Sequence, residues 1–350
     1  MLAQTTPNER RTVKMTQIAM DVHKNHSTLA ALNLLTGEML VRKFNTDRND
    51  LARKLADLPK PWTVAVESSR HSPAVCRWLQ AMGADVRLVN AAELARHTKG
   101  KAAKTDAKDA EKMLQLMRID ELPECYLASE QVVQLRDLMR GRNLLVEVNT
   151  TLRNWLRSAL ARFGLRVNYT DLRGQAAREL VPELIGQLPG NTAMMATIFW
   201  ALLAQLEEHL GSLNAEVKRQ VSEHPVAAAL CELPGIGPVT ALELVAEIGI
   251  IERFADPGRL HSYAGVVPRV DQSGDSRRTG KIARECNRHL RRAAVRAAQG
   301  AARCRADNEV RRTYRRVKYR CGANSAKIAG ARKALTAVLF TWRELMTEAA

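Results

Sequence analysis

Four carboxylates in the first third of the chain have the types and spacing to do chemistry on a phosphate. Asp21 stands near the end of the apolar run Thr16-Gln-Ile-Ala-Met-Asp-Val22, and Glu67 closes Thr63-Val-Ala-Val66. An acid at the end of an apolar strand is costly to bury alone and takes a cation, a metal or a hydrogen-bond network as partner. Asp106 and Asp109 sit three apart in the run from Lys104 to Met113. On a helix that spacing puts both on one face, their Cβ atoms roughly 5–6 Å apart. If the strand ends are neighbours and the helix packs across them, all four acids converge, and like charges that close repel unless divalent cations neutralise them. Such hard oxygen donors suit Mg²⁺ or Mn²⁺, and two ions about 3.5–4 Å apart would activate a nucleophile and stabilise the leaving oxygen of a phosphodiester. Singly, Asp106 and Asp109 also fit solvated charges beside Lys104, Lys108 and Lys112. The order of strand-end Asp, strand-end Glu and helical Asp pair carries the signal.

The elements that must position these acids are legible nearby. Ser27–Leu34 and Met39–Phe44 around the turn Thr36-Gly37-Glu38 read as consecutive antiparallel strands. A helix is predicted over Asp50–Leu58, a buried strand over Thr63–Val66, a helix over Ala74–Met82 and a strand over Asp85–Val89, followed by a long helical region from Ala91 to Met117. A meander followed by strands alternating with helices predicts an α/β domain with a mixed sheet over 14–122, after a disordered tail over 1–13. From Ser129, Val133, Leu135, Leu138, Leu145, Val148, Leu152 and Leu156 recur at helical spacing, and a second long helix runs from Thr192 to about Val221. The irregular piece between them carries Gly174, Pro182, Pro189 and Gly190, so 123–224 reads as a helical hairpin or coiled-coil arm. Pro225 opens a third region, 225–350. There Leu233-Pro-Gly-Ile-Gly-Pro-Val-Thr-Ala241 has the layout of a helix-hairpin-helix, in which the Gly235 and Gly237 amides either approach a phosphate or form a plain packing turn.

The net charge of +17 and pI of about 10.0 call for a polyanionic partner, nucleic acid first and an anionic membrane surface second. The charge is concentrated: Arg259–Lys333 holds 21 Lys and Arg against 5 Asp and Glu, a net of +16. Aromatics at 4% argue against a protein that grips single strands mainly by stacking. The six cysteines show no CxxC pair and no His at zinc-ligand spacing, and read as free thiols of a reducing compartment. The N-terminus has no apolar core of a secretory signal, and the most apolar run, Thr192–Leu206, is shorter than the roughly 20 residues a bilayer needs. The expectation is a soluble, cytoplasmic protein with no membrane partner.

Asp21-Val-His-Lys-Asn-His-Ser27, Ala65-Val-Glu-Ser-Ser-Arg70 and the Asp106/Asp109 run, followed by a helical arm and then Leu233–Gly249, Tyr263-Ala-Gly-Val-Val-Pro-Arg-Val-Asp-Gln-Ser-Gly274 and Asn287-Arg-His-Leu-Arg-Arg-Ala293, resemble the insertion-sequence 110 family of DEDD transposases. The resemblance covers the chain from about Lys14. It implies a Holliday-junction-resolvase-like (RNase H-like) first domain with Asp21, Glu67, Asp106 and Asp109 as the DEDD set, a coiled-coil arm, and a mainly helical, basic transposase domain. In family members that last domain supplies a catalytic serine in a Ser-Gly element, which by position is Ser273.

A serine hydroxyl is a weak nucleophile unless activated, and the flanking Arg277, Arg278 and Lys281 are suited to hold the phosphate and stabilise developing charge. Three positions depart from the family pattern. Ser276 is close enough to be an alternative nucleophile, Cys286 occupies a glycine position in Arg284-Glu-Cys-Asn287, and Ser72 replaces a tyrosine. Arg288, Arg291, Arg292 and Arg296 share helical spacing, as do Arg311, Arg312, Arg315 and Arg316, and phosphate binding is the better reading of both sets. Tyr314 and Tyr319 fit stacking on bases or packing equally.

The expected activity is a recombinase that excises and inserts its own mobile element through metal-bound carboxylates and Ser273. The resemblance further implies a structured guide RNA pairing with element-end and target DNA, and a homo-oligomer, dimer or tetramer. The alternatives are a metal-dependent junction nuclease in which water attacks, and a non-enzymatic nucleic-acid-binding protein.

Overall fold

The computed structural model describes residues 15–97, 106–166, 172, 174–273, 276–283 and 285–348. The tail expected over 1–13 lies outside them. The chain forms two compact units, Met1–Leu127 and Ala128–Ala350.

The first unit is built on a five-stranded mixed sheet of order β3-β2-β1-β4-β5, from β1 (Thr16–Val22), β2 (His26–Asn33), β3 (Met39–Asn45), β4 (Trp62–Glu67) and β5 (Asp85–Val89). β1 runs antiparallel to β2 and parallel to β4, and β4 is parallel to β5. The mixed sheet with its helices fits an RNase H-like α/β domain. Side chains alternate along each strand. Ile18, Met20, Val22, Val64 and Val66 therefore enter one core with Leu51 and Leu55 of α1 (Arg48–Leu55) and Val75 and Leu79 of α2 (Ser72–Ala81). Ala19, Ala30 and Ala65 enter the core on the opposite face, with Leu94 of α3 (Ala91–His97) and Ala110, Met113, Leu114 and Met117 of α4 (Asp106–Arg118). Ala30, Ala19 and Ala65 are register partners, forming one row of methyl groups across three central strands. No side chain longer than a methyl stands there, so α4 can approach the sheet closely. The helical region expected over 91–117 is thus α3 and α4, with 98–105 outside the described residues.

Among the described residues the second unit is helical apart from one hairpin. α5 (Glu130–Arg162) is capped by Ser129, whose side chain accepts from the Val132 amide. It pairs with α7 (Gly190–Glu223): Arg142 donates to Asn214 at 2.8 Å and Arg153 bonds Glu207 further out, so the two run antiparallel. Pro182 and two glycines suggest an irregular link, yet α6 (Gln175–Gly186) forms there because Ala177, Val181 and Ile185, four apart, bury one face. Leu156, Leu160, Val181, Ile185 and Leu203 make a core at that end. At the other, Met139, Val217 and Val221 join α8 (Pro225–Cys231), α9 (Pro238–Ile248) and α10 (Pro257–Ala264) in the main core.

The apolar run Tyr263-Ala-Gly-Val-Val-Pro268, whose composition suits a strand, is divided. Tyr263 and Ala264 close α10, Gly265 stops it in the left-handed region at φ 64°, and β6 begins only at Pro268. β6 (Pro268–Ser273) and β7 (Ser276–Ile282) pair antiparallel. Asn287 then caps α11 (Arg288–Arg303), its side chain accepting from the His289 and Leu290 amides. α12 (Glu309–Glu348) breaks at Gly322 (φ 81°, ψ 171°). Beyond the break its alanines pack on α11, while before it only Thr313 is buried.

Candidate active site

Two residues further along the strands from the alanine row, the same alternation puts Thr28, Asp21, Glu67 and Val89 side by side on the α4 face. Asp21 pairs in register with Thr28 and Glu67 with Val89, while the β1–β4 ladder runs through Met20 and Val66. Neighbouring strands lie about 4.8 Å apart, so Asp21 and Glu67 are adjacent carboxylates at the ends of parallel strands. α4 packs over the same face and begins at Asp106, with Asp109 in its first turn. The side chains of Asp106 and Asp109 lie outside the described residues.

Asp21 is held in place. Its side chain is only 13% exposed, and Oδ2 lies 3.2 Å from Nε2 of His23. The turn beyond is tied by the His23 amide donating to Ser27 Oγ at 3.3 Å and by Thr46 Oγ1 donating to the His23 carbonyl at 2.9 Å. Glu67 is fixed through its backbone, because the buried hydroxyl of Ser72 donates to its carbonyl and accepts from the Ser69 amide at 2.9 Å. Among the described residues no three His, Cys, Asp or Glu side chains gather as a metal site. Asp21 and Glu67 by themselves supply two hard carboxylate donors on adjacent strands, a donor set that fits Mg²⁺ or Mn²⁺.

In the second unit, Ser273 ends β6 and faces Ser276, the first residue of β7, as its cross-strand partner. Arg277 pairs with Gln272 and Arg278 with Asp271 in the same ladder, and Lys281 follows in β7. The hairpin's side chains from 269 to 279, and that of Lys281, lie outside the described residues.

The glycine turn divides in two. Gly235, at φ 81°, lies against the α11 backbone at Gly300 and Ala301, and a Cβ there would meet Ala301 Cα at 2.7 Å. Gly237 precedes α9, is exposed and has open space around it. The arginines divide likewise. Arg288 is exposed. Arg291 donates to the carbonyls of Ala264 (3.3 Å) and Ala283 and to Cys286 Sγ at 2.8 Å, while Arg292 bonds Glu147 and lies 3.6 Å from Glu243.

Two family models match the chain: one of DEDD transposases of the IS110 type over residues 18–164, and one described as the transposase IS116/IS110/IS902 family over 227–315. The chain belongs to the IS110 family of transposases. It is similar to a probable family 20 transposase of Pseudomonas aeruginosa, 28% identical over 251 residues, which cover 70% of this chain and 72% of that protein. It is also similar to the transposase for insertion sequence element IS1328 of Yersinia enterocolitica, 25% identical over 81% of this chain and 83% of that one. The transposase for element IS1111A of Coxiella burnetii is 24% identical over 65% and 62%. This IS110-family member is therefore an enzyme of the transposase class, acting on DNA. No helix among its described residues is long and apolar enough to cross a membrane.

Within the region matched by the second model, this transposase buries two acids that sequence reasoning passed over. Glu243 and Glu247 of α9 are 1% and 0% exposed. Arg140 of α5 grips Glu247 with two 2.8 Å bonds, and Asn287, the α11 cap, donates to it at 2.8 Å. Burial pushes the Glu247 carboxyl up, but the bonds from Arg140 and Asn287 and the charges of Arg140 and Arg136 outweigh it, leaving the group below the usual carboxylate range. Glu243 accepts from Asn143 and Arg296 at 2.8 Å each, yet burial wins and its carboxyl lies above the usual range. Four-residue spacing inside an apolar helix was the available signal. His23 carried none beyond its proximity to Asp21, and Ser72 stood out only as a replacement for a tyrosine.

Proposed function

We propose that this transposase cuts and rejoins the DNA of its insertion sequence by serine attack, with Asp21, Glu67, Asp106 and Asp109 as the metal-holding set and Ser273 as the nucleophile. The observation that carries the reading is the adjacency of Asp21 and Glu67 on the face over which α4, starting at Asp106, is packed. A bound divalent cation supplies charge neutralisation among the acids and Lewis-acid polarisation of the phosphodiester. The Ser273 oxygen bonds to phosphorus as the phosphorus–oxygen bond to one deoxyribose breaks. Its hydroxyl proton leaves to a base and the departing sugar oxygen takes one up. The phosphoserine ester conserves the energy of the phosphodiester, so attack by a deoxyribose hydroxyl of another strand rejoins DNA without ATP.

Arg277, Arg278, Lys281 and the exposed Arg288 hold the flanking phosphates, and the open Gly237 turn offers backbone amides to another. Gly235, Arg291 and Arg292 support that surface through the contacts described above. The resolvase-like domain over 14–122, the coiled-coil arm over 123–224 and the transposase domain over 225–350 divide these tasks. A homo-oligomer and a structured RNA from the same element, guiding the choice of target, complete the reading.

Incubation with element-end DNA and Mg²⁺ on a denaturing gel tests it. A protein–DNA adduct that is lost in Ser273→Ala and kept in Ser276→Ala supports Ser273, and the reverse assigns the attack to its cross-strand neighbour. Metal-dependent free cleavage indifferent to both substitutions would replace the serine by water, and strand breakage surviving in Asp21→Asn would sink any metal-dependent reading. Sequencing of co-purified RNA tests the guide, whose absence counts against it.

A further inference from the structure

The cations of the second unit fall into two populations. Those of α11 that point inward are engaged: Arg292 and Arg296 pair with Glu243 and Glu147, and Arg291 donates to carbonyls. Beyond them, α11 and the first half of α12 enclose a shallow groove of about 280 Å³ lined by Gln299, Ala302, Arg303, Tyr314, Arg315 and Lys318. No acid lines it. The nearest acids along the chain, Asp307 and Glu309, are engaged by Arg312 and Lys333. Among the described residues Arg303, Arg315, Arg316, Lys318 and Arg320 make no ion pair. Uncompensated like charges this close repel one another, and a polyanion relieves that cost.

The groove runs into a tip. Every residue from Lys318 to Ser325 is exposed, the helix breaks at Gly322, and Tyr319 stands 95% exposed between Lys318 and Arg320. Tyr314 differs: it is half-buried, with Cδ2 3.4 Å from where a Cβ on Gly330 would stand. A row of cations ending in one bare aromatic ring matches a single strand, whose phosphates take the cations and whose unpaired base takes the ring. The 4% aromatic content excludes a surface made mainly of stacking, and one ring at the end of a charged row does not contradict it.

We propose that this groove and tip bind an unpaired DNA strand, phosphates on Arg303, Arg315 and Lys318 and one base on Tyr319. The choice of DNA rests on the chain being a transposase acting on DNA. It does not depend on which group attacks the phosphodiester, and its test includes no cleavage step.

Fluorescence anisotropy of the full chain with a labelled oligothymidine of about 20 nucleotides, longer than the roughly 4–16 nucleotides of a typical single-strand site, reads the groove. Tyr319→Ala is expected to weaken strand binding about tenfold, the size of one base stack, and to leave a blunt duplex unchanged, with Tyr319→Trp retaining the wild-type affinity. The triple change of Arg303, Arg315 and Lys318 to Gln should flatten the slope of log affinity against log salt by about 2, from three lost phosphate contacts on a single strand. All four positions are partly or fully exposed, so thermal melts of the variants should match the parent. The proposal fails if Tyr319→Ala binds the strand within twofold of the parent, or if duplex binding falls equally. It also fails if an oligouridine RNA binds more tightly than oligothymidine and loses more on substitution, which would assign the groove to RNA.

Discussion

Arg140 and Glu247 meet side-on, Nε and Nη2 each donating at 2.8 Å to a different carboxylate oxygen, across 107 residues of chain. The pair joins α5 to α9, and Asn287 extends it to the start of α11, just after the β6–β7 hairpin. Glu247 is fully buried while Arg140 is 41% exposed, so removing the arginine leaves a desolvated acid short of its main partner, at a cost of about 1–3 kcal/mol. Arg140→Ala is expected to fall at the lower end, because Arg136 and Asn287 still face Glu247. Urea unfolding monitored by circular dichroism checks it, and a loss below about 1 kcal/mol would contradict the account.

The two buried acids give opposite pH signatures. Glu247 titrates below its unfolded value of about 4.3, so its stabilisation is present above that pH and is lost as pH falls through its folded value. Glu243 titrates above it, so the folded chain binds the extra proton, and stability declines as pH rises from about 4.3 through the raised value. Glu243→Gln should flatten the decline on the alkaline side of that window and leave the acid limb in place. Melting temperature against pH for the two proteins shows whether the limbs separate this way.

Gly235→Ala and Gly237→Ala should behave unlike each other. The first puts a side chain at φ 81° and into the α11 backbone, a strain of about 1–3 kcal/mol before any clash is counted. The second has open space and should change stability by no more than about 0.5 kcal/mol. Thermal melts of both, beside DNA affinity, separate packing from phosphate contact: equal destabilisation would refute the division.

Ala65→Leu on the α4 face should destabilise by about 1–3 kcal/mol, because the row it shares with Ala19 and Ala30 has no room for a longer side chain under the helix. Under the proposed metal-holding role of the four acids, raising α4 also disturbs the site, since the helix begins at Asp106. Weaker Mn²⁺ binding in titration calorimetry is therefore expected along with the lower melting point, and unchanged metal affinity would detach α4 from the site.

Thiol labelling should follow exposure. Burial pushes Cys76 up to about 12 and Cys125 to about 11, whereas Cys321 is exposed beside the Gly322 break. Iodoacetamide at neutral pH should modify Cys321 first and reach Cys76 only in denaturant, as read by peptide mass spectrometry.

Much of the first unit was legible because its strands are short apolar runs between turns. Asp85–Val89 coincides with β5, and Asp21 and Glu67 stand at strand ends as their runs suggest. What escaped was anything set by distant partners. Glu243 and Glu247 look like ordinary helix charges until Asn143, Arg140 and Arg296 arrive from helices far along the chain. The Tyr263–Pro268 run has the apolar composition of a strand, but Gly265 ends a helix there, and its lack of a side chain leaves room for Cys286 and Arg291. Composition carries no trace of that fit.

The methyl row at Ala19, Ala30 and Ala65 makes the candidate chemistry a matter of parity. One residue, Met20, separates Ala19 from Asp21, and that count alone keeps the acid on the same side as α4. Deleting a single residue between them would turn Asp21 toward Leu51 and Val75 and send an apolar neighbour to the other side, with every strand still paired. A two-residue change would keep the side and move only the height. In this fold the carboxylate's address is written in odd and even numbers before it is written in distances.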